Sequence, residues 1–254
     1  NCEPGGIVRN KISEQMKIAL IGYGKMGKAI ESVAQAHEIV LRINGSNAEH
    51  MTAENLRQAD VAIEFSRPEA ATANIRTCID AGLPVVSGTT GWLGQLPEIR
   101  NYLDLRGGAL LHASNFSLGV NILFALNRML GRWMNNYPQY AVGIREVHHT
   151  AKLDAPSGTA ITLAEGLIDE LSGKEGWVNE ETDDPALIPI ISERIEDVPG
   201  THEVSWDSPI DTLRISHEAY SREGFARGAL LAAEWLQDKQ GYYTMDDVLD
   251  LGPA

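Results

Sequence analysis

Short unbroken apolar runs alternate with stretches of helical spacing along the first half of the chain. Residues 17 to 21 form such a run, ending at Gly22, and from Lys28 to Gln35 apolar side chains recur at Ile30, Val33 and Ala34. This predicts strand, tight turn, helix. The same grammar returns with Val61 to Phe65 as a strand, a helix opened by Pro68, running through Ile79 and closed by Gly82, and a strand from Pro84 to Val86. After a further helical stretch, Ala109 to His112 reads as another strand. Apolar strands without polar alternation, each followed by a helix, predict a parallel sheet covered on both faces.

The pattern changes after Gly119. A long helix, Val120 to about Asn135, precedes a strand over Tyr140 to Val147, a turn rich in Pro, Ser and Gly, and a helix from Thr159 to Leu171. Then come short runs, Glu193 to Ile195, His202 to Trp206 and Thr212 to His217, separated by Gly and Pro as in an antiparallel meander. The polar, acidic stretch Ser172 to Pro189 is expected to be the most mobile loop. The helix Phe225 to Gln237 has the period needed to return and cover the first unit. No internal repeat is visible.

The chain has 254 residues, enough for two modest domains, and a formal charge of −14. That charge argues against non-specific binding to nucleic acid or anionic membrane, so an anionic ligand must be caught by local cations and backbone N–H groups. No apolar run approaches the roughly 18 residues of a membrane span, and no signal peptide is readable. A soluble, cytoplasmic protein is expected. Cys2 and Cys78 offer neither a disulfide framework nor a metal spacing. Residues 1–15 lack an apolar period, and Met16 looks like a natural start, so they are read as a leader outside the fold.

Three motifs carry candidate chemistry. In Gly22-Tyr23-Gly24-Lys25-Met26-Gly27, Gly22 permits the turn, Gly24 lets a pyrophosphate approach, and Gly27 allows helix and strand to pack closely. Strand before and helix after favour a dinucleotide-binding turn over a merely structural one, with Lys25 and Lys28 adding positive charge. The acid expected about 20 residues on is missing. Arg42 stands there instead, suited to the extra phosphate of NADP, with Asn44 able to bond either ribose. NADPH, or both NADPH and NADH, is expected over strict NADH, against the competing reading of Arg42 as a solvated strand residue. The loops Gly88-Thr89-Thr90 and Ala113-Ser114-Asn115-Phe116 follow parallel strands, where a nicotinamide can lie. Each taken alone reads equally as an ordinary loop.

The densest motif runs from Glu146 to Ala160. His148 and His149 would face opposite ways on a regular strand and can share a site only if the strand ends near His148. Ser157, Gly158 and Thr159 supply a helix N-cap and free N–H groups for a carboxylate. Lys152, protonated beside an anion, suits an acid or a charge clamp. A metal site of Glu146, His148 and His149 lacks a recognised ligand spacing, so no metal is expected. Core or surface histidines and a plain surface lysine remain the competing readings.

The run from His148 to Ala160, H-H-x-x-K-x-D-x-P-S-G-T-A, resembles the signature of the 4-hydroxy-tetrahydrodipicolinate reductase (dihydrodipicolinate reductase) family of the diaminopimelate and lysine pathway. Gly88 to Gly91, Asn115 to Asn121, Pro199 to Val204 and Ser221 to Ala229 match its pattern in the same order. The resemblance implies NADPH- or NADH-dependent reduction of a cyclic dicarboxylate, with His148 as acid/base, Lys152 as proton donor, and His149, Gly158 and Thr159 on substrate carboxylate. It also implies a Rossmann-type doubly wound domain over 16–116, completed by 222–254. A substrate-binding and oligomerisation domain over 117–221, with an open mixed sheet, would then build a homotetramer. Two departures stand out: the family's acid is replaced near Arg42 and Asn44, and residues 1–15 match nothing. A different small dehydrogenase and a non-catalytic nucleotide sensor are the rival readings.

Overall fold

A computed structural model describes residues 15–251. The expected leader, apart from Gln15, and Cys2 lie outside them. The elements are β1 (Lys17–Ile21), α1 (Lys25–Val33), β2 (Glu38–Ile43), α2 (Ala53–Leu56), β3 (Val61–Glu64), α3 (Pro68–Ala81), β4 (Val85–Ser87), α4 (Leu96–Arg106) and β5 (Ala109–His112). They continue with α5 (Leu118–Met134), β6 (Ala141–His148), α6 (Gly158–Ile168), β7 (Gly176–Val178), β8 (Leu187–Arg194), β9 (Gly200–Asp207), β10 (Thr212–Ala219), α7 (Glu223–Leu236), β11 (Gly241–Tyr243) and α8 (Met245–Leu249).

The first sheet is six-stranded and parallel, in the order β11-β5-β4-β3-β1-β2. Successive β1 side chains enter opposite layers: Ile18 and Leu20 pack with Ile30, Ala229 and Ala233, while Ala19 and Ile21 pack with Ile75, Ile79 and Ile99. This two-sided burial explains the unbroken apolar runs. Cys78 is buried in the second layer, where desolvation pushes its thiol up and leaves it inert. Chain order reverses about β1, with β2 on one side and β3 on the other, so a crevice opens at the carboxyl ends of these strands. The helix after β1 starts at Lys25, three residues earlier than its apolar period indicated. Gly27 makes this possible, because a Cβ there would come within 2.8 Å of the Gly22 carbonyl. α7 lies close on the same sheet through Ala226, Gly228, Ala229, Ala232 and Ala233, all buried.

The second sheet, β10-β9-β6-β8-β7, is mixed. β9 runs antiparallel to both β6 and β10, but β8 is parallel to β6 and to β7, where a meander was expected. The cause is the long connection through α6, which has the length a parallel crossover requires. The stretch 172–189, expected to be a mobile loop, contains β7 and the start of β8. It is tied by Lys174 Nζ, which donates to the carbonyls of Pro185 and Leu187 at 2.9 Å each. α5 and α6 cover one face of this sheet around Phe124, Ile144, Leu163, Ile190 and Trp206. Among the described residues no helix is long and apolar enough to cross a membrane.

Candidate active site

A cleft of about 850 Å³ separates the carboxyl edge of the first sheet from the ends of β6, β9 and β10. From the first sheet it is lined by Lys25, Thr90, Ser114 and Asn115, and from the second by His148, His149, Lys152, Gly158 and Thr159.

The glycine-rich turn forms as its sequence demands. Gly22 has φ +91°, and a Cβ there would stand 2.0 Å from the Phe65 carbonyl oxygen, so only glycine fits. At Gly24 no described atom lies within 4 Å of where a Cβ would be. Gly24 also caps α1 without a side chain, leaving its first N–H groups with no side-chain acceptor, a cradle that fits a pyrophosphate. Met26 packs against the core of the first sheet rather than into the cleft.

At the end of β2, Arg42 Nε donates to Glu31 at 3.0 Å, and its guanidinium lies 6.0 Å from the Tyr23 ring centre. The Tyr23 hydroxyl also donates to Glu31. The hydrogen bonds from Arg42 and Tyr23 hold the Glu31 carboxyl below the usual range. Asn44 accepts from the Ser46 amide and hydroxyl at 2.8 and 2.7 Å.

Four of the predicted cofactor residues lie beneath the cleft. A Cβ on Gly88 would overlap the Phe65 ring at 2.1 Å. The Thr89 hydroxyl donates to buried Glu64 at 3.0 Å and accepts from the Ser66 amide at 2.8 Å, so it ties down the loop that presents Thr90. Ala113 and Phe116 are buried, with Phe116 5.6 Å from the Phe65 ring.

β6 ends at His148, so the chain turns and both histidines reach the cleft; the Lys152 amide donates to the His149 carbonyl at 3.1 Å within this turn. Lys152 Nζ donates to Asp154 at 2.7 Å. Ser157 caps α6, its hydroxyl accepting from the Ala160 amide at 3.2 Å. Gly158 has open space where a Cβ would project, and Thr159 Oγ1 accepts from Asn115 Nδ2 at 3.2 Å, linking the two sides of the cleft. His202, His217 and Arg222 also line it and were not singled out from sequence. Burial and the neighbouring His148 charge push His202 down to about 3, so it is neutral at neutral pH. The signals available were the family-matched stretches Pro199 to Val204 and Ser221 to Ala229, which contain His202 and Arg222, and the alternation of His202, Val204 and Trp206, which puts His202 on the inward face of β9.

Ligand atoms of Glu146, His148 and His202 lie within 4.8 Å of one another, whereas His149 stands apart from that group. The Glu146 carboxylate already accepts from the Ser157 amide and the Ser192 hydroxyl, and the Arg194 guanidinium is 3.4 Å away. The Glu146 oxygens therefore already have donors from three other residues.

A parallel sheet with a glycine-rich turn at its switch point, facing a cleft lined by Lys25, His148, His149 and Lys152, defines a dinucleotide-dependent oxidoreductase. Residues 16–116 match the family described as "Dihydrodipicolinate reductase, N-terminus", and residues 119–249 match "Dihydrodipicolinate reductase, C-terminus". The chain belongs to the dihydrodipicolinate reductase family. It is 48% identical over 236 residues to the 4-hydroxy-tetrahydrodipicolinate reductase of Christiangramia forsetii, covering 92% of this chain and 98% of that one. It is 39% identical to the enzyme of the same name from Chromobacterium violaceum, covering 76% and 74%. Among solved structures, the dipicolinate-bound dihydrodipicolinate reductase from Paenisporosarcina sp. TG-14 shares the fold, with a TM-score of 0.72 at 21% identity over 91% of this chain and 97% of that one.

Proposed function

We infer that this chain catalyses the NAD(P)H-dependent reduction of 4-hydroxy-tetrahydrodipicolinate to tetrahydrodipicolinate, in the diaminopimelate and L-lysine pathway, the 4-hydroxyl leaving as water to give the conjugated imine that takes the hydride. The observation that carries the reading is one cleft in which the His148-His149-Lys152 turn and the capped start of α6 face the glycine-rich turn of the first sheet. In this reading residues 16–116 with 222–254 hold the dinucleotide and residues 117–221 hold the substrate. The protein works as a cytoplasmic homotetramer assembled through the second sheet, whose edge strand β10 leaves Leu213 exposed.

Gly22, Gly24, Lys25, Met26 and Gly27 form the pyrophosphate turn, and Arg42 with Asn44 receives the adenosine ribose. Thr90, Ser114 and Asn115 border the nicotinamide site, with Gly88, Thr89, Ala113 and Phe116 shaping the loops from below. Reduced nicotinamide, when bound, supplies the hydride. His149 and the N–H groups at Gly158 and Thr159 hold a ring carboxylate. Lys152 gives a proton to the ring carbon made basic as the conjugated imine is reduced, and His148 serves as acid/base beside it.

Arg42 supports NADPH as the better of two usable cofactors, because a guanidinium is the residue type that grips a phosphate. The test mixes purified protein with the cyclic product of pyruvate and aspartate semialdehyde condensation and follows nicotinamide absorbance, with each cofactor in turn. Substrate-dependent oxidation of both is expected. In Arg42→Ala the dissociation constant for NADPH should rise about tenfold, the value of one charge-assisted bond, with that for NADH nearly unchanged. Binding without any oxidation would point to a nucleotide sensor instead.

A further inference from the structure

On the face of the second sheet turned toward α5 and α6, side chains change character along the strands. Val142 and Ile144 of β6, Ile188 and Ile190 of β8, and Val204 and Trp206 of β9 fill the core. On these three strands the remaining side chains of that face are Glu146 and His148, Ser192 and Arg194, and His202, with His217 of β10 paired beside His202. Register sets Glu146 between Ser192 and His202, and His148 beside Arg194. Glu146 is fully buried, and an isolated buried carboxylate costs several kcal/mol, so its partners decide whether it stays charged. The Ser157 amide donates to both of its oxygens at 3.0 and 3.1 Å, the Ser192 hydroxyl donates at 2.8 Å, and Arg194 lies at 3.4 Å. On the other side Oε2 faces His148 Nδ1 at 3.5 Å and His202 Nε2 at 3.7 Å. His148 Nδ1 is buried and makes no hydrogen bond among the described residues, with the Glu146 carboxylate 3.5 Å away.

We propose that Glu146 is a positioning residue for the reduction: its one buried carboxylate fixes the carboxylate-binding start of α6 through the Ser157 amide and, beside His148 Nδ1, favours the protonated ring against the burial that disfavours it. The proposal rests on the reading of His148 as the acid/base group. Several groups act on the His148 ring. Burial disfavours its charged form most strongly, Lys152 of the following turn and Arg194 of β8 add to that, and Glu146 and Asp154 oppose it. His202 of β9 packs edge-on at 5.0 Å and is neutral at neutral pH, so it contributes no charge there. Asp154 is mostly exposed and already paired with Lys152. Glu146 is therefore the buried anion that answers the desolvation of His148. Burial would raise its own carboxyl, but bonds from Ser157 and Ser192 and the His148 charge hold it below the ordinary value, so it remains an anion at neutral pH. Because the Ser157 amide and His148 share this carboxylate, the carboxylate subsite and the acid/base ring keep a fixed relation.

The experiment follows the histidine ring signals of isotope-labelled protein by NMR against pH without substrate, assigning His148 by its absence in His148→Gln. In Glu146→Gln the His148 midpoint should fall by about one unit or more, a tenfold change in proton affinity. The basic limb of kcat/KM should move down by the same amount, while the dissociation constant for NADPH stays within about twofold of wild type. Glu146→Asp keeps the charge but withdraws it, and should give a smaller shift in the same direction; should Glu146→Gln fail to fold, this variant carries the test. A folded variant whose His148 titration and pH profile match wild type would overturn the proposal and leave Glu146 a structural anchor. The NMR readout needs no substrate, so that result would leave the reductase reading intact. An inactive wild type whose His148 responds as expected would sink the reductase reading, and with it the role in the reduction, and leave only the Glu146–His148 coupling.

Discussion

Lys152→Ala is expected to lower turnover by about 100-fold or more, the usual cost of removing a positioned proton donor, while leaving NADPH affinity unchanged. The separation of the two effects follows from the fold. Lys152 belongs to the turn after β6, on the far side of the cleft from the glycine-rich turn, and its Nζ makes an exposed pair with Asp154 rather than any contact in the first sheet. Exposed pairs contribute at most about 1 kcal/mol, so the melting temperature should barely move. Steady-state kinetics, cofactor titration and a thermal melt on the same preparation check all three statements. Unchanged turnover would remove Lys152 from the chemistry.

The second large effect is expected at the dinucleotide turn, where two glycines a single residue apart should fail in different ways. Gly24→Leu places its side chain in open space, since no described atom lies within 4 Å of the Cβ position. The protein should fold with a near wild-type melt, yet bind either cofactor about 100-fold more weakly, because the side chain occupies the path of the pyrophosphate. Gly22→Ala instead drives a Cβ to 2.0 Å from the Phe65 carbonyl, at a φ of +91° that L residues rarely adopt. Main-chain atoms cannot step aside as a flexible side chain can, so that variant should lose several kcal/mol of stability, and cofactor binding with it. Cofactor titration and thermal melts of both variants distinguish the two failures. Tight binding by Gly24→Leu would place the pyrophosphate elsewhere.

How much of this was legible in the sequence depended on whether local pattern and long-range pairing agreed. The strands of the first sheet announce themselves because burial on both faces removes every polar alternation. β11 has only three residues and α8 only five, too short for any period to show, and they take their place from pairing with β5 and packing on the first core. β8 was read as part of a meander because a parallel partner leaves no local mark; the crossover through α6 makes it parallel. In the cleft, the turn from His148 to Thr159 was visible because its residues are close in sequence. His202, His217 and Arg222 come from β9, β10 and the start of α7, so their meeting with that turn depends on tertiary structure. Thr89 was expected at the cofactor, but its hydroxyl is committed to Glu64, a partner 25 positions away that only strand pairing brings near.

The central claim is that this cleft passes a hydride to the ring of a cyclic dicarboxylate. The most direct test supplies cofactor deuterated at the transferring position of nicotinamide C4, together with the condensation product of pyruvate and aspartate semialdehyde, and examines the product by mass spectrometry. The account predicts tetrahydrodipicolinate one mass unit heavier than that formed with unlabelled cofactor. Cofactor oxidation that leaves the ring product unlabelled would contradict it.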